Sequence, residues 1–152
     1  MISASNYLVI PDRTGQLSRA PTYPLVSFCI PTKNRARTIA ACLESIRAQE
    51  YPNLEIVVVD NGSTDQTVGI AKQHADVVAT CTGPLGAVRQ HSIELSHGEI
   101  VALFDDDIIL PHPGWLAQAV IAFQADAQAS TVWPVLVPPE RASWFLAPFS
   151  RF

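Results

Sequence analysis

The sequence predicts an α/β fold: a mostly parallel sheet flanked by helices, in a single domain. Three observations carry this. Short runs of consecutive apolar residues alternate with longer stretches whose apolar residues recur at helical spacing. The short runs are apolar on both faces, as strands covered on both sides must be. Each run is closed by a proline, an aspartate or a glycine-containing turn. Strands alternating with helices of this length imply βαβ units with right-handed crossovers. The chain has 152 residues, of which 48% are hydrophobic and 16% charged, which suits one domain with a true core.

Residues 1–24 contain Pro11, Gly15, Pro21 and Pro24 and show little periodicity, so they read as a loose arm before a domain spanning 25–152. LVSFCI (25–30), stopped by Pro31, is the first strand. ARTIAACLESIRAQEY (36–51) carries a stripe of Ile39, Cys42, Leu43 and Ile46 and predicts a helix that Pro52 ends. LEIVVVD (54–60) is the second strand. In GSTDQTVGIAKQHA (62–75), Ser63 and Gln66 have capping-box spacing for the next helix. DVVATC (76–81) follows as a third strand. PLGAVRQHSIELSHG (84–98) predicts a helix with Pro84 at its first turn and Gly98 just past its end. EIVALF (99–104) is the fourth strand, GWLAQAVIAFQADA (114–127) a helix opened by Pro113, and STVWPVLVP (130–138) a fifth strand. The aromatic tail with Trp144, Phe145, Phe149 and Phe152 has no clear pattern, and no internal repeat stands out.

A formal net charge of −4 argues against nucleic acid as a partner, because phosphate backbones demand a basic footprint. Cys29, Cys42 and Cys81 are odd in number, lack C-x-x-C spacing and sit among apolar neighbours, as buried thiols in a reducing compartment do. No apolar run is long enough to span a bilayer, and the first residues lack the charged and apolar regions of a signal peptide. The expected location is cytoplasmic, with peripheral association at the inner membrane face left open.

Three of these strands end in unusual chemistry: PTKNR (31–35), DNGSTD (60–65) and DDD (105–107). A parallel sheet places all three on its carboxyl edge, where open α/β sheets bind ligands. In an extended segment Asp105 and Asp107 would converge while Asp106 points away. Two carboxylates on an open edge suit Mg²⁺ or Mn²⁺, which keep waters and share substrate phosphates; the plainer alternative is a solvated acidic turn. Asp60 reads either as an Asx-turn residue or as an acceptor for a base or ribose donor, and Asn61 as turn chemistry only. The first strand–helix turn lacks G-x-G-x-x-G, and neither G-K-[ST] nor G-x-S-x-G occurs, which excludes dinucleotide, P-loop and nucleophile-elbow sites. His74, His91, His97 and His112 have no zinc spacing, though His112 lies close in sequence to the acids.

VSFCIPTKNR, CLESIRAQEYPNLEIVVVDNGSTDQT and PLGAVRQHSIELSHGEIVALFDDDIILP, in that order, resemble the nucleotide-sugar-binding half of a family 2 glycosyltransferase of the GT-A fold, over roughly residues 25 to 116. The resemblance implies transfer of a sugar from a nucleoside-diphosphate donor, a UDP-sugar first, to an acceptor hydroxyl of a glycan, lipid or small molecule, metal-assisted and with inversion. It implies that Pro31, Thr32 and Arg35 lie against the nucleotide, that Asp60 bonds the base, that Gly86 and Arg89 close over the donor, and that Asp105, Asp106 and Asp107 form the D-x-D region, with Asp105 and Asp107 on the metal and Asp107 stabilising the leaving group. Lys33 and Arg37 read as solvated. Gln90 and Asn61 depart mildly from the family pattern, which more often has Asn and Asp there.

The family's carboxylate base lies downstream of the D-x-D. After Asp107 this chain has only Asp126 and Glu140, neither in the family's base motif, so the base is unassigned. The expectation is a domain truncated on the acceptor side, and the alternative function is donor binding without turnover.

Overall fold

The computed structural model describes residues 23–125. Four strands, β1 (Val26–Thr32), β2 (Leu54–Asp60), β3 (Val77–Thr80) and β4 (Ile100–Leu103), alternate with four helices, α1 (Ile39–Arg47), α2 (Thr67–His74), α3 (Leu85–Glu94) and α4 (Trp115–Gln124). The strands are all parallel, in the order β3-β2-β1-β4. This is the α/β GT-A-like architecture the sequence predicts. The expected fifth strand (130–138), the aromatic tail, Asp126, Glu140 and most of the N-terminal arm lie outside the described residues.

The core explains the apolar runs. All seven residues of β1 are buried, as are the last five of β2. Val26, Phe28 and Ile30 of β1 and Ile56 and Val58 of β2 pack against Ile39, Cys42, Leu43 and Ile46 of α1, Ala71 of α2, and Leu116 and Val120 of α4. Phe28 meets Phe104 edge to face with ring centroids 5.4 Å apart. On the opposite face Val57 and Val59 pack against Val88 of α3. A strand buried on both sides has no polar face, so its β-branched residues run consecutively.

Strand register aligns the chemistry. Thr32 pairs with Asp60 and Asp60 with Thr80, so the loops after β1, β2 and β3 leave the sheet side by side. The chain moves from β1 towards β2 on one side, while β4 lies on the other. The crevice between β1 and β4 is therefore the point where strand order reverses, the ligand-binding position of such sheets.

Two local expectations are corrected. The Ser63–Gln66 capping box does not form: α2 starts after Gln66 with no side-chain cap. The Ser63 hydroxyl instead accepts from Asn34 N at 2.8 Å, and the Thr67 N–H donates to Asp65 Oδ1 at 3.0 Å. Gly98 does not cap α3, which ends at Glu94 with Leu95 as its cap. A Cβ at Gly98 would lie 2.5 Å from Ser27 Oγ and 2.7 Å from Ser27 N, so glycine is required by the close approach to β1.

The amino edge is fastened by polar groups. Glu55 accepts hydrogen bonds from Ser27 Oγ at 2.5 Å and His97 N at 3.0 Å, and its other oxygen lies 2.8 Å from His97 Nδ1. Gly98 N donates to Ser27 Oγ at 2.8 Å. Burial by itself would raise the Glu55 carboxyl, but the Ser27 hydroxyl and the His97 amide and ring hold it below the usual carboxylate range. Among the described residues, no helix is long and apolar enough to cross a membrane.

Candidate functional site

A cleft of about 270 Å³ opens at the switch point, lined by Pro31, Thr32, Lys33 and Arg35 after β1, Asn61 after β2, Leu85 and Val88 of α3, and Asp105, Asp106 and Asp107 after β4. Six of the residues named from the sequence thus share one cavity. Lys33, read as solvated, also lines it, whereas Arg37 is exposed outside the lining.

The three aspartates divide their work. β4 ends at Leu103 and a turn begins, with Ile108 N donating to Asp105 O at 3.4 Å, so strand alternation does not govern them. Asp106 goes inward: it is 7% exposed and accepts from Arg35 Nε at 3.2 Å. Burial pushes its carboxyl above the ordinary range, against the pull of the Thr32 hydroxyl and Arg35. Thr32 Oγ1 faces this carboxyl but falls short of a hydrogen bond, and it is buried without a partner. Asp105 is exposed and bonded to Arg89 Nη2 at 2.8 Å. Asp107 is exposed and makes no hydrogen bond or ion pair to a described group.

Asp60 lies at the end of β2, one residue before the lining Asn61, and is 2% exposed. Its Oδ2 accepts from Gly62 N at 3.0 Å and Ser63 N at 2.9 Å, as an Asx-turn residue does. Its Oδ1 is buried with no partner. An unsatisfied buried acceptor is costly and calls for an explanation. Gly86 lies on α3 between Leu85 and Val88. A Cβ there would meet nothing within 4 Å, so packing does not demand glycine at that position.

Sequence reasoning underrated Asn61. Its N–H donates to Thr32 O at 2.8 Å, its Nδ2 donates to Gly83 O at 3.0 Å, and its Oδ1 accepts from Gly83 N at 3.0 Å. His112 is not at the site: its carbonyl accepts from Gln49 Nε2 at 3.0 Å, beyond the far end of α1, a helix roughly 13 Å long at 1.5 Å per residue. The signal that would have raised Asn61 is its place directly after a strand-end acid; the signal against His112 is the apolar Ile108–Leu110 run between it and the acids, of which Leu110 packs into the core.

No group of three or more His, Cys, Asp or Glu side chains converges as a closed metal cage among the described residues. The donor set fits a hard divalent ion of the kind that takes one or two carboxylates and completes its shell with water and phosphate oxygens. Asp107 and Asp105 would hold it.

Comparison with known proteins agrees with this geometry. The chain is 38% identical over 108 residues to the glycosyltransferase AglE of Haloferax volcanii, covering 65% of this chain and 35% of that protein. The mannosyltransferase PcManGT of Pyrobaculum calidifontis, solved with GDP-Man and Mn²⁺, superposes with a TM-score of 0.61 at 31% identity, over 77% of this chain and 35% of the other. S. aureus TarS 1-349, solved with UDP-GlcNAc, superposes with a TM-score of 0.57 at 32% identity, over 65% of this chain and 30% of the other. The chain therefore spans about a third of the length of these relatives. Residues 27–151 match Glycosyl transferase family 2. The sheet order, the acid-lined crevice at its switch point and these matches agree, and the chain belongs to glycosyl transferase family 2.

Proposed function

We propose that this chain is the nucleotide-sugar-binding part of a glycosyltransferase that moves a sugar from a nucleoside-diphosphate donor, a UDP-sugar first, to an acceptor hydroxyl with inversion. Residues 25–152 would form one domain of it. The observation that carries the reading is the crevice itself, where Lys33 and Arg35 of the β1 loop share the lining with three carboxylates at the end of β4, Arg89 of α3 pairs with one of them, and a buried carboxylate oxygen at the end of β2 lacks a donor.

Each residue has a distinct task in this reading. Asp60 Oδ1, which lacks a donor, accepts from a ring N–H of the base. Uracil offers such a donor at N3. Arg35 is held towards the cleft by Asp106 and faces phosphate together with Lys33. Arg89, steered by Asp105, adds a fixed positive charge where the diphosphate develops negative charge. A divalent cation shared by Asp105, Asp107 and the diphosphate would act as the Lewis acid for the leaving group. PcManGT with GDP-Man and Mn²⁺ and TarS with UDP-GlcNAc support this ligand class.

Calorimetry with Mn²⁺ and a panel of UDP- and GDP-sugars tests the reading. Binding is expected only when metal and donor are both present, and is expected to be lost in Asp107→Ala. Absence of binding to every donor would end it, and preference for GDP-sugars would reassign the base. Donor binding without turnover is the second reading, because the only carboxylates lining the cleft among the described residues are Asp105, Asp106 and Asp107. Sugar transfer or donor hydrolysis by the isolated chain would refute it.

A further inference from the structure

We infer that Asn61 is a positioning residue whose side chain clamps the loop before α3, setting where Arg89 stands over the donor cleft. The inference rests on the donor-site reading above.

The geometry is that of a short double bridge. Asn61 pairs both halves of its amide with one residue, donating to Gly83 O and accepting from Gly83 N, both at 3.0 Å. Its own N–H is fixed to Thr32 O at the end of β1. One residue thus joins the end of β1, the end of β2 and the chain 22 residues further on. Gly83 precedes Pro84, and Pro84 O accepts from Ala87 N at 2.9 Å and Val88 N at 3.2 Å, so fixing Gly83 fixes the first turn of α3. That turn carries Leu85 and Val88 into the cleft, and Arg89 follows directly, reaching Asp105 at 2.8 Å.

Little else holds this segment. Residues 82–87 are exposed, and Val88 is the first buried residue of α3. No side chain caps α3. A carboxylate at position 61 would accept from Gly83 N but would face Gly83 O with a second acceptor, so the amide is the chemistry that satisfies both sides.

Four variants, Asn61→Ala, Asn61→Asp, Arg89→Ala and the Asn61→Ala/Arg89→Ala double, test this by hydrogen exchange, nucleotide affinity and melting temperature. Asn61→Ala removes both bonds, and the amides to follow by hydrogen exchange are Ala87 and Val88, which keep their own partners at Pro84. Two lost hydrogen bonds predict exchange there about 10-fold faster. Affinity for UDP with Mn²⁺ is expected to weaken about 5-fold in Asn61→Ala, and less in Asn61→Asp, which keeps one bond. In an Arg89→Ala background the same change should cost less than about 2-fold, because its effect passes through Arg89. Additive losses, or a lower melting temperature with unchanged nucleotide affinity, would overturn the inference and leave Asn61 a turn residue. If the unmutated chain binds no nucleotide, the proposed function fails by itself, and unchanged exchange at Ala87 and Val88 would then overturn the positioning role independently.

Discussion

Replacing Glu55 with Gln isolates the polar fastening at the amino edge of the sheet. The side chain is 13% exposed and has three donors directed at it, from Ser27 Oγ, His97 N and His97 Nδ1. Gln keeps the shape but offers one acceptor oxygen and turns an NH₂ group towards at least one of those donors. Losing one hydrogen bond to a charged acceptor costs about 1.5–3 kcal/mol, so a loss of about 2 kcal/mol is expected at pH 7. With a urea m-value of about 1–3 kcal/mol per M for a small domain, the midpoint should fall by about 1 M. The sign of the pH dependence follows from linkage. The folded pKa of Glu55 is depressed below its unfolded value of about 4.3, so its contribution is present above that value and is lost as pH falls through the folded pKa. The gap between the two proteins should be widest at neutral pH and should narrow below about pH 4. Glu55 lies at the start of β2, opposite the cleft, so nucleotide affinity of the folded variant should not change. A gap equally wide at pH 3 and pH 7, or one under about 0.5 kcal/mol throughout, would refute the reasoning.

Two further outcomes follow from packing. Gly98→Ala forces a methyl group against Ser27 Oγ, Ser27 N and Ile100 O at 2.5–2.8 Å, and should destabilise by about 1–3 kcal/mol, read by chemical denaturation. The Cys42 thiol, buried and close to the triple aspartate, is pushed up to about 12. At pH 8 iodoacetamide should therefore spare Cys42 in the native protein and modify it only in denaturant, while the partly exposed Cys81 reacts natively; mass mapping of the labelled peptides checks this.

The sequence made the sheet legible because burial on both faces writes a continuous β-branched run, and LEIVVVD coincides with β2 residue for residue. Helix ends were less legible. The start expected at 36 moves to Ile39 because the residues before it are held by the segment that opens α2: Arg35 N donates to Thr67 Oγ1 at 2.7 Å and Ala36 N to Asp65 Oδ2 at 3.2 Å. Ser63 had the right spacing for a cap but is taken by Asn34, 29 residues away, a partner no local pattern records. The site followed the same division. Its acids were visible because parallel strands must deliver their ends to one edge. The inward turn of Asp106 depends on Arg35, 71 residues distant, and the bridge made by Asn61 depends on Gly83.

Asn34 adopts a left-handed backbone with φ of 52°, and its Oδ1 accepts from Thr64 N at 2.8 Å. Together with the bonds at Arg35 and Ala36, three successive residues of one loop are stitched to a neighbouring loop. Inserting or deleting a residue in either segment would throw every later stitch out of step. Attempts to redesign ligand preference here should keep both lengths constant and diversify Leu85, an exposed residue on the wall of the crevice that takes no part in the seam.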